Sequence, residues 1–260
     1  MRTVLLYMMK VSIIQMEIEE GNKSKNIEKA CSLLERCEPS DFVVLPELWS
    51  TGLALQNAKE LAESLRGETI SRLEEYAAQY NQYIIGSILE RDNNIFYNTL
   101  HVVGPEGLSG SYRKIHLFSL MKEDYFLNPG ATFQVISTRF CTIAGIVCYD
   151  IRFPELPRAL ALEGAQILFV PAEFPHPRKN HWKTLLRARA IENQFFVVAC
   201  NRTGQSETYQ FFGASTVIDP WGEILVEAAD EENILSCDIN LEKISECRRN
   251  LPAFHDIQLI

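Results

Sequence analysis

Between Arg139 and Leu160 the chain reads RFCTIAGIVCYDIRFPELPRAL. Phe140–Val147 is apolar and rich in β-branched residues, which predicts a strand. Tyr149-Asp150 turns the chain, and Pro154-Glu155 opens a helix that runs to Glu163, with proline in the first turn, where a missing N–H is harmless. Cys148 stands at the junction. A thiol on a strand-to-helix turn is lifted out of the sheet, and the next backbone N–H, that of Tyr149, can point at an oxyanion. The same residue also reads as a buried structural thiol.

Outward from this stretch the same alternation continues in both directions. On the N-terminal side, strands are predicted over Val11–Met16, Asp41–Leu45, Tyr83–Leu89 and Thr99–Val103, and helices over Asn22–Cys37 and Thr69–Tyr80. The second helix carries Ile70, Leu73, Ala77 and Tyr80 on one face. Gly104-Pro105-Glu106-Gly107 is a turn leading into another strand. Phe133–Ile136 pairs with Phe140–Val147 as a hairpin. On the C-terminal side come a strand over Gln166–Pro171, a helix over His181–Asn193, and a strand over Phe195–Cys200. Ser215–Asp219 and Glu223–Glu227 flank the turn Pro220-Trp221-Gly222, and Leu241–Arg249 is a last helix. Strands and helices in alternation, with hairpins added, imply sheets covered by helices on their outer faces. No linker, repeat or low-complexity tract divides residues 1–260, so a single domain is expected.

Composition narrows the function. Of 260 residues 47% are hydrophobic and 23% charged, ordinary for a globular protein. The formal net charge of −9 argues against nonspecific nucleic-acid binding, which needs cations against phosphates. Seven cysteines, an odd number with no C-x-x-C pair, form neither a disulfide framework nor a zinc ribbon and fit a reducing cytoplasm. The start, MRTVLLYMMKVSIIQ, has a faint signal-peptide look that Lys10 interrupts. A first strand after a short extension, with Met8 or Met9 as a possible start, is the better reading. No stretch approaches the roughly 20 apolar residues of a membrane span.

Two further strings share the design of a reactive side chain just after an apolar strand, where it can face a crevice. In DFVVLPELWSTG (Asp41–Gly52), Glu47 is flanked by Pro46, Leu48 and Trp49. It is either a surface glutamate or a carboxyl whose apolar setting suits it to proton transfer. In SGSYRKIHLFSLMKED (Ser109–Asp124), Lys114 is either an exposed strand lysine or an ammonium that lowers a nearby thiol's pKa and stabilises an oxyanion. Glu123 is a second acid for the same site or a solvated charge. No metal-ligand spacing and no phosphate-binding glycine loop is present, so neither a metal nor an organic cofactor is expected.

Taken together, these strings resemble the nitrilase superfamily of carbon–nitrogen hydrolases, whose members carry a Glu, a Lys and a Cys in that order. The matching positions are Glu47 in LPELW, Lys114 in YRKIHLF and Cys148 in VCYDIRFPE. The likeness continues through Val170–Trp182, Leu185–Gly204 and Phe211–Leu225. The most similar branch is the omega-amidases, which cleave the terminal amide of short dicarboxylic monoamides such as 2-oxoglutaramate and 2-oxosuccinamate. There the Lys string reads KxHLF, followed by an acidic residue and a glycine, here Glu123 and Gly130.

The resemblance implies an α/β fold of four layers, an alpha-beta-beta-alpha sandwich, in a homodimer formed by helix packing. It implies catalysis by Glu47, Lys114 and Cys148, with Glu123 positioning the lysine and the substrate. Phe118, Tyr149, Glu173 and Phe174 are the implied substrate-binding residues. Glu173-Phe174 departs from the Asn-Trp of many omega-amidases. The implied chemistry is ammonia release from a small amide through a Cys148 thioester, with a small-molecule substrate and no nucleic-acid or membrane partner. Another amide, an N-carbamoyl compound or a nitrile would use the same residues. An acyltransferase and a non-catalytic binding module are the other classes, and fast alkylation of a depressed-pKa Cys148 would separate the enzyme from the module. Arg113, Arg152 and Arg178 are unranked candidates for holding a substrate carboxylate. Structural roles suit the remaining matched residues: Arg189 with Glu192 as an ion pair, Asp150 and Arg152 fixing the turn, His181 and Trp182 packing a helix start, and His116 packing beside the site.

Overall fold

Every strand that carries alternating aliphatic residues must bury both of its faces, because the intervening residues are as apolar as those they separate. In the computed structural model, which describes residues 8–254 and 256–258, this demand is met by two sheets stacked face to face and covered by helices. Residues 1–7, where the N-terminal extension was expected, lie outside the described residues.

In chain order the strands are β1 (Met9–Gln15), β2 (Phe42–Val44), β3 (Tyr83–Asp92), β4 (Ile95–Gly104), β5 (Gly107–Arg113), β6 (Ile136–Ser137), β7 (Thr142–Gly145), β8 (Ile167–Ala172), β9 (Phe196–Asn201), β10 (Thr203–Gln205), β11 (Gln210–Phe212), β12 (Thr216–Ile218), β13 (Ile224–Glu227) and β14 (Asn233–Ile239). The helices are α1 (Lys23–Arg36), α2 (Ala58–Leu61), α3 (Glu68–Tyr80), α4 (Glu123–Phe126), α5 (Glu155–Leu162), α6 (Lys179–Asn193) and α7 (Glu242–Asn250). One sheet has the order β14-β1-β2-β3-β4-β5 and the other β13-β12-β9-β8-β7-β6, with β10-β11 as a separate hairpin. β1, β2 and β3 run parallel, as do β7, β8 and β9.

Strand periodicity assigns the faces. Val11, Ile13, Phe42 and Val44 point into the gap between the sheets, where they meet Ile143, Ile167 and Phe169. Ile14, Val43 and Leu45 point the other way, against Ile27, Ala30 and Leu34 of α1 and Ile70, Leu73 and Ala77 of α3. On the far side, Leu156 and Leu160 of α5 and Trp182, Leu186 and Ala190 of α6 cover the second sheet. The result is the expected four layers, helix, sheet, sheet, helix. Packing decides these helices more than capping does. The Asn22 side chain caps α1, worth about 1 kcal/mol, whereas each buried Ile or Leu contributes about 1.5–3 kcal/mol.

Several boundaries differ from expectation. Of the expected apolar face of α3, Ile70, Leu73 and Ala77 are buried, while Tyr80, the last residue of the helix, is 40% exposed and stacks with Tyr76. The hairpin β6–β7 is shorter than its apolar sequence suggested, since the chain leaves the sheet after Gly145 to form the turn at Cys148. α6 begins at Lys179, ahead of His181. β14 has no counterpart in the sequence reading. It is a half-buried edge strand that pairs antiparallel along the whole of β1, and its Leu235, Cys237 and Ile239 alternate toward the core between the sheets.

Candidate active site

Three of the positioning elements are strands that end at one rim of the sandwich. Glu47 follows β2, Cys148 follows β7 and Glu173 follows β8. Lys114 follows β5, which is antiparallel to β4 as β4 is to β3, so β5 ends at the same edge as β2 and β3. Gly130 explains itself here. Its N–H donates to the Lys114 carbonyl at 2.8 Å, and a Cβ would lie 2.1 Å from the Arg113 carbonyl oxygen, so only glycine fits.

The structure brings Glu47, Lys114, Glu123 and Cys148 together in the interior. Lys114 Nζ donates to Glu47 Oε1 at 2.8 Å and to Glu123 Oε1 at 2.7 Å. The three side chains are each at most 2% exposed. Glu47 also accepts from Asn98 Nδ2 at 2.7 Å and, through Oε2, from the Glu173 backbone N–H at 2.8 Å. Glu123 Oε2 accepts from the Phe118 N–H at 2.7 Å. Every carboxylate oxygen of the pair is thus bonded, which is the condition for keeping charge out of water. Asn98 was missed in the sequence. It is fully buried in β4 beside two other buried polar residues, Thr99 and His101, so nothing local marks it out.

Burial works against the Lys114 ammonium, but Glu123, Glu47 and Cys148 outweigh it and hold its pKa well above the ordinary lysine value. Burial also pushes Glu123 up, with Lys114 opposing. Cys148 behaves differently from the depressed thiol expected of an activated cysteine. Burial and then the Glu47 charge raise it well above the ordinary value, and Lys114 offsets this only in part. At rest the nucleophile is a protonated thiol hydrogen-bonded to Glu47, not a standing thiolate.

The turn that holds Cys148 is built for that position. Cys148 has φ +47°, a left-handed conformation that non-glycine residues adopt only when their surroundings impose it. Leu48, directly after Glu47, has φ +41°. Asp150 supplies the constraint at Cys148: Oδ2 accepts from the Val147 N–H and the Tyr112 hydroxyl, and Oδ1 from the His116 N–H and ring. Arg189 adds a bond from Nε to the Ile151 carbonyl while its Nη1 pairs with Glu192 at 2.8 Å. His116 lies 2.8 Å from Asp150 and stacks on Phe153, a packing role as expected. Trp182 is buried and donates to the Ala214 carbonyl, while His181 is exposed. Arg152 is a correction. It does not brace the turn but lies over the Tyr149 and Phe174 rings.

Above Cys148 opens a narrow cleft lined by Phe118, Cys148, Tyr149, Arg152, Glu173, Phe174, Pro175 and Arg178. All four residues singled out as substrate-binding, Phe118, Tyr149, Glu173 and Phe174, line it. Phe118 and Tyr149 stack with centroids 4.5 Å apart. Arg178 lies over Phe118. Among the described residues neither Arg152 nor Arg178 has a carboxylate partner. Arg113, the third candidate cation, is elsewhere: it binds Glu90 and Asp92 and covers Tyr97. At the inner end of the cleft, Glu173 pairs with the fully buried Arg202 at 2.7 Å, and Arg202 also binds Glu20. Among the described residues no cluster of His, Cys, Asp or Glu has the makings of a metal site, and no helix is long and apolar enough to cross a membrane. All seven cysteines are free thiols.

Such a site can perform nucleophilic substitution at a carbonyl carbon, with a base, a cation and a thiol in contact. Comparison with known proteins agrees. Residues 10–249 match the family model described as carbon-nitrogen hydrolase. A 2-oxoglutaramate amidase of Bacillus subtilis (strain 168) is 43% identical over 95% of this chain and 97% of its own length. An omega-amidase of Homo sapiens is 36% identical over 94% of this chain and 93% of its own. Among solved structures, a CN-hydrolase superfamily protein of Xanthomonas campestris superposes with a TM-score of 0.92 at 30% identity, covering 98% of both chains.

Proposed function

As this chain belongs to the carbon–nitrogen hydrolase family, we propose that it is a cysteine amidohydrolase that releases ammonia from the terminal amide of a short dicarboxylic monoamide. The observation that carries the reading is the pairing of a buried Glu47–Lys114–Glu123 cluster beside Cys148 with two arginines at the cleft that have no carboxylate partner among the described residues. The first suits amide cleavage, and the second suits a substrate that carries a carboxylate at its other end. The names of the two amidase relatives point to the same substrate class.

In this mechanism Glu47 takes the Cys148 proton as sulfur attacks the amide carbon. The raised thiol pKa makes this coupling necessary, because little thiolate exists before attack. Lys114 and the Tyr149 N–H stabilise the tetrahedral oxyanion. Glu47 returns the proton to nitrogen, the C–N bond breaks and ammonia leaves. Water then attacks the thioester with Glu47 again as base, releasing the acid and restoring the thiol. Glu123 positions Lys114 through its 2.7 Å bond. These steps use only the chain's own groups. The family resemblance further supports a homodimer built by helix packing, one domain spanning the chain, and a cytoplasmic setting that its unpaired thiols suit.

The test is ammonia release from 2-oxoglutaramate and 2-oxosuccinamate by the wild type and by Cys148→Ala. Release by the wild type alone supports the assignment. Equal release by both proteins rejects the cysteine mechanism, and no release by the wild type rejects the substrate class.

A further inference from the structure

Glu173 is the only acidic side chain among those lining the cleft over Cys148, and its two oxygens are unequal. Oε2 is held by Arg202 Nη1 at 2.7 Å. Oε1 is buried with no hydrogen-bond partner, in a residue only 1% exposed. Arg202 is itself fixed by Glu20 at 2.6 Å and lies over the Phe211 ring, so the carboxyl cannot swing toward solvent without leaving a buried guanidinium short of a partner. A buried acceptor left open is expensive, and it is tolerated where a ligand completes it.

The position of Glu173 identifies what completes it. Its own N–H donates to Glu47 Oε2 at 2.8 Å, so the residue adjoins the group that hands a proton to the leaving nitrogen. The substrate carbonyl oxygen turns to Lys114 and the Tyr149 N–H, and the substrate carboxylate to Arg152 and Arg178. The amide NH2 is then the remaining hydrogen-bond donor, and its hydrogens need acceptors.

Resting on the amidohydrolase reading above, we propose that Glu173 Oε1 accepts a hydrogen bond from the N–H of the scissile amide, making Glu173 the residue that selects substrates whose leaving atom carries hydrogen. A site built to bond an N–H discriminates strongly against a substrate without one, because its buried acceptor then stays unpaired. Esters and nitriles fall in that class. The Glu173-Phe174 departure from the Asn-Trp of many omega-amidases becomes a choice of acceptor at the leaving group.

The experiment compares a dicarboxylic monoamide with the monomethyl ester of the same acid, in the wild type and in Glu173→Gln. Glutamine keeps an oxygen for Arg202, whose donors reject an NH2, and so puts its own NH2 where Oε1 was. The expected result is an amide kcat/KM lower by about 10- to 100-fold, the usual range for a lost or opposed buried hydrogen bond, with the ester value within about threefold of wild type by the same argument, since no N–H is involved. Alkylation of Cys148 at the wild-type rate shows that the fold and nucleophile survive. Equal losses on amide and ester would make Glu173 a structural partner of Arg202 and overturn the proposal. So would full amide activity in Glu173→Gln, which would mean that the position serves as a donor. Should the wild type ignore both dicarboxylic compounds, the substrate class fails, and the same ratio is read on a neutral aliphatic amide and its methyl ester.

Discussion

Lys114 Nζ lies 2.8 Å from Glu47 Oε1, with both side chains 1% exposed. They approach from different strands, β5 and β2. A buried pair of this kind contributes little net stability, but losing one member strands the other's charge. In the proposed mechanism the same contact fixes the proton acceptor of the thiol and the cation of the oxyanion site, which joins stability and chemistry at one point.

Lys114→Met should therefore abolish activity and also destabilise the fold by about 3–5 kcal/mol, the range for breaking a buried ion pair, as read from urea unfolding. The pH dependence has a definite sign. The folded-state pKa of Lys114 is raised above the ordinary 10.5, so its contribution is complete below that value and is lost only as pH rises through the folded pKa. The stability gap between wild type and Lys114→Met should narrow in strong alkali, as Lys114 loses its proton, and in acid, as the stranded Glu47 and Glu123 gain theirs. A gap that closes near pH 7 would contradict the pairing.

The protonated resting thiol predicts an unusual alkylation profile. In Glu47→Gln the acceptor is gone while burial, the largest cause of the raised Cys148 pKa, remains. Alkylation by iodoacetamide should then climb about tenfold per pH unit from pH 6 to 8, as thiolate fraction does below a thiol's pKa. A rate that levels off in that window would mean that Lys114 depresses the thiol after all.

The arginines at the cleft make separable predictions. Arg152→Gln and Arg178→Gln should each lower kcat/KM for dicarboxylic monoamides by about 10-fold or more, the worth of a charge-assisted bond, with less effect on neutral amides. Arg113→Gln should leave KM unchanged, because its guanidinium is already bound to Glu90 and Asp92. A higher KM in Arg113→Gln would move the carboxylate site.

Asn98 acts through Glu47 rather than on substrate. Asn98→Ala removes the 2.7 Å bond and should cut kcat by about tenfold or more, in line with general-base catalysis that depends on placement, while KM holds. A change confined to KM would place Asn98 in binding instead.

The amino-acid sequence by itself determined the layered fold and pointed to the residues that meet in the candidate site. Apolar periodicity located β1, β2, β8 and β9 and the helices α1, α3 and α6 to within a few residues, because core burial leaves a local imprint. Glu47, Lys114 and Cys148 were each open to a structural reading as single residues, and it was the resemblance of their strings, taken in order, to those of the carbon–nitrogen hydrolases that singled them out. β14 was passed over although Leu235, Cys237 and Ile239 alternate toward the core, because Asn233, Ser236 and Asp238 interrupt the apolar run. The tertiary structure alone decided which charges meet. Nothing local distinguishes Arg113, bound to Glu90, from Arg152 at the cleft, or marks Asn98 and Arg202 as partners of Glu47 and Glu173. The pKa of Cys148 was hidden for the same reason. Lys114 alone suggested a lowered value, but burial and Glu47, supplied by distant parts of the chain, reverse the sign.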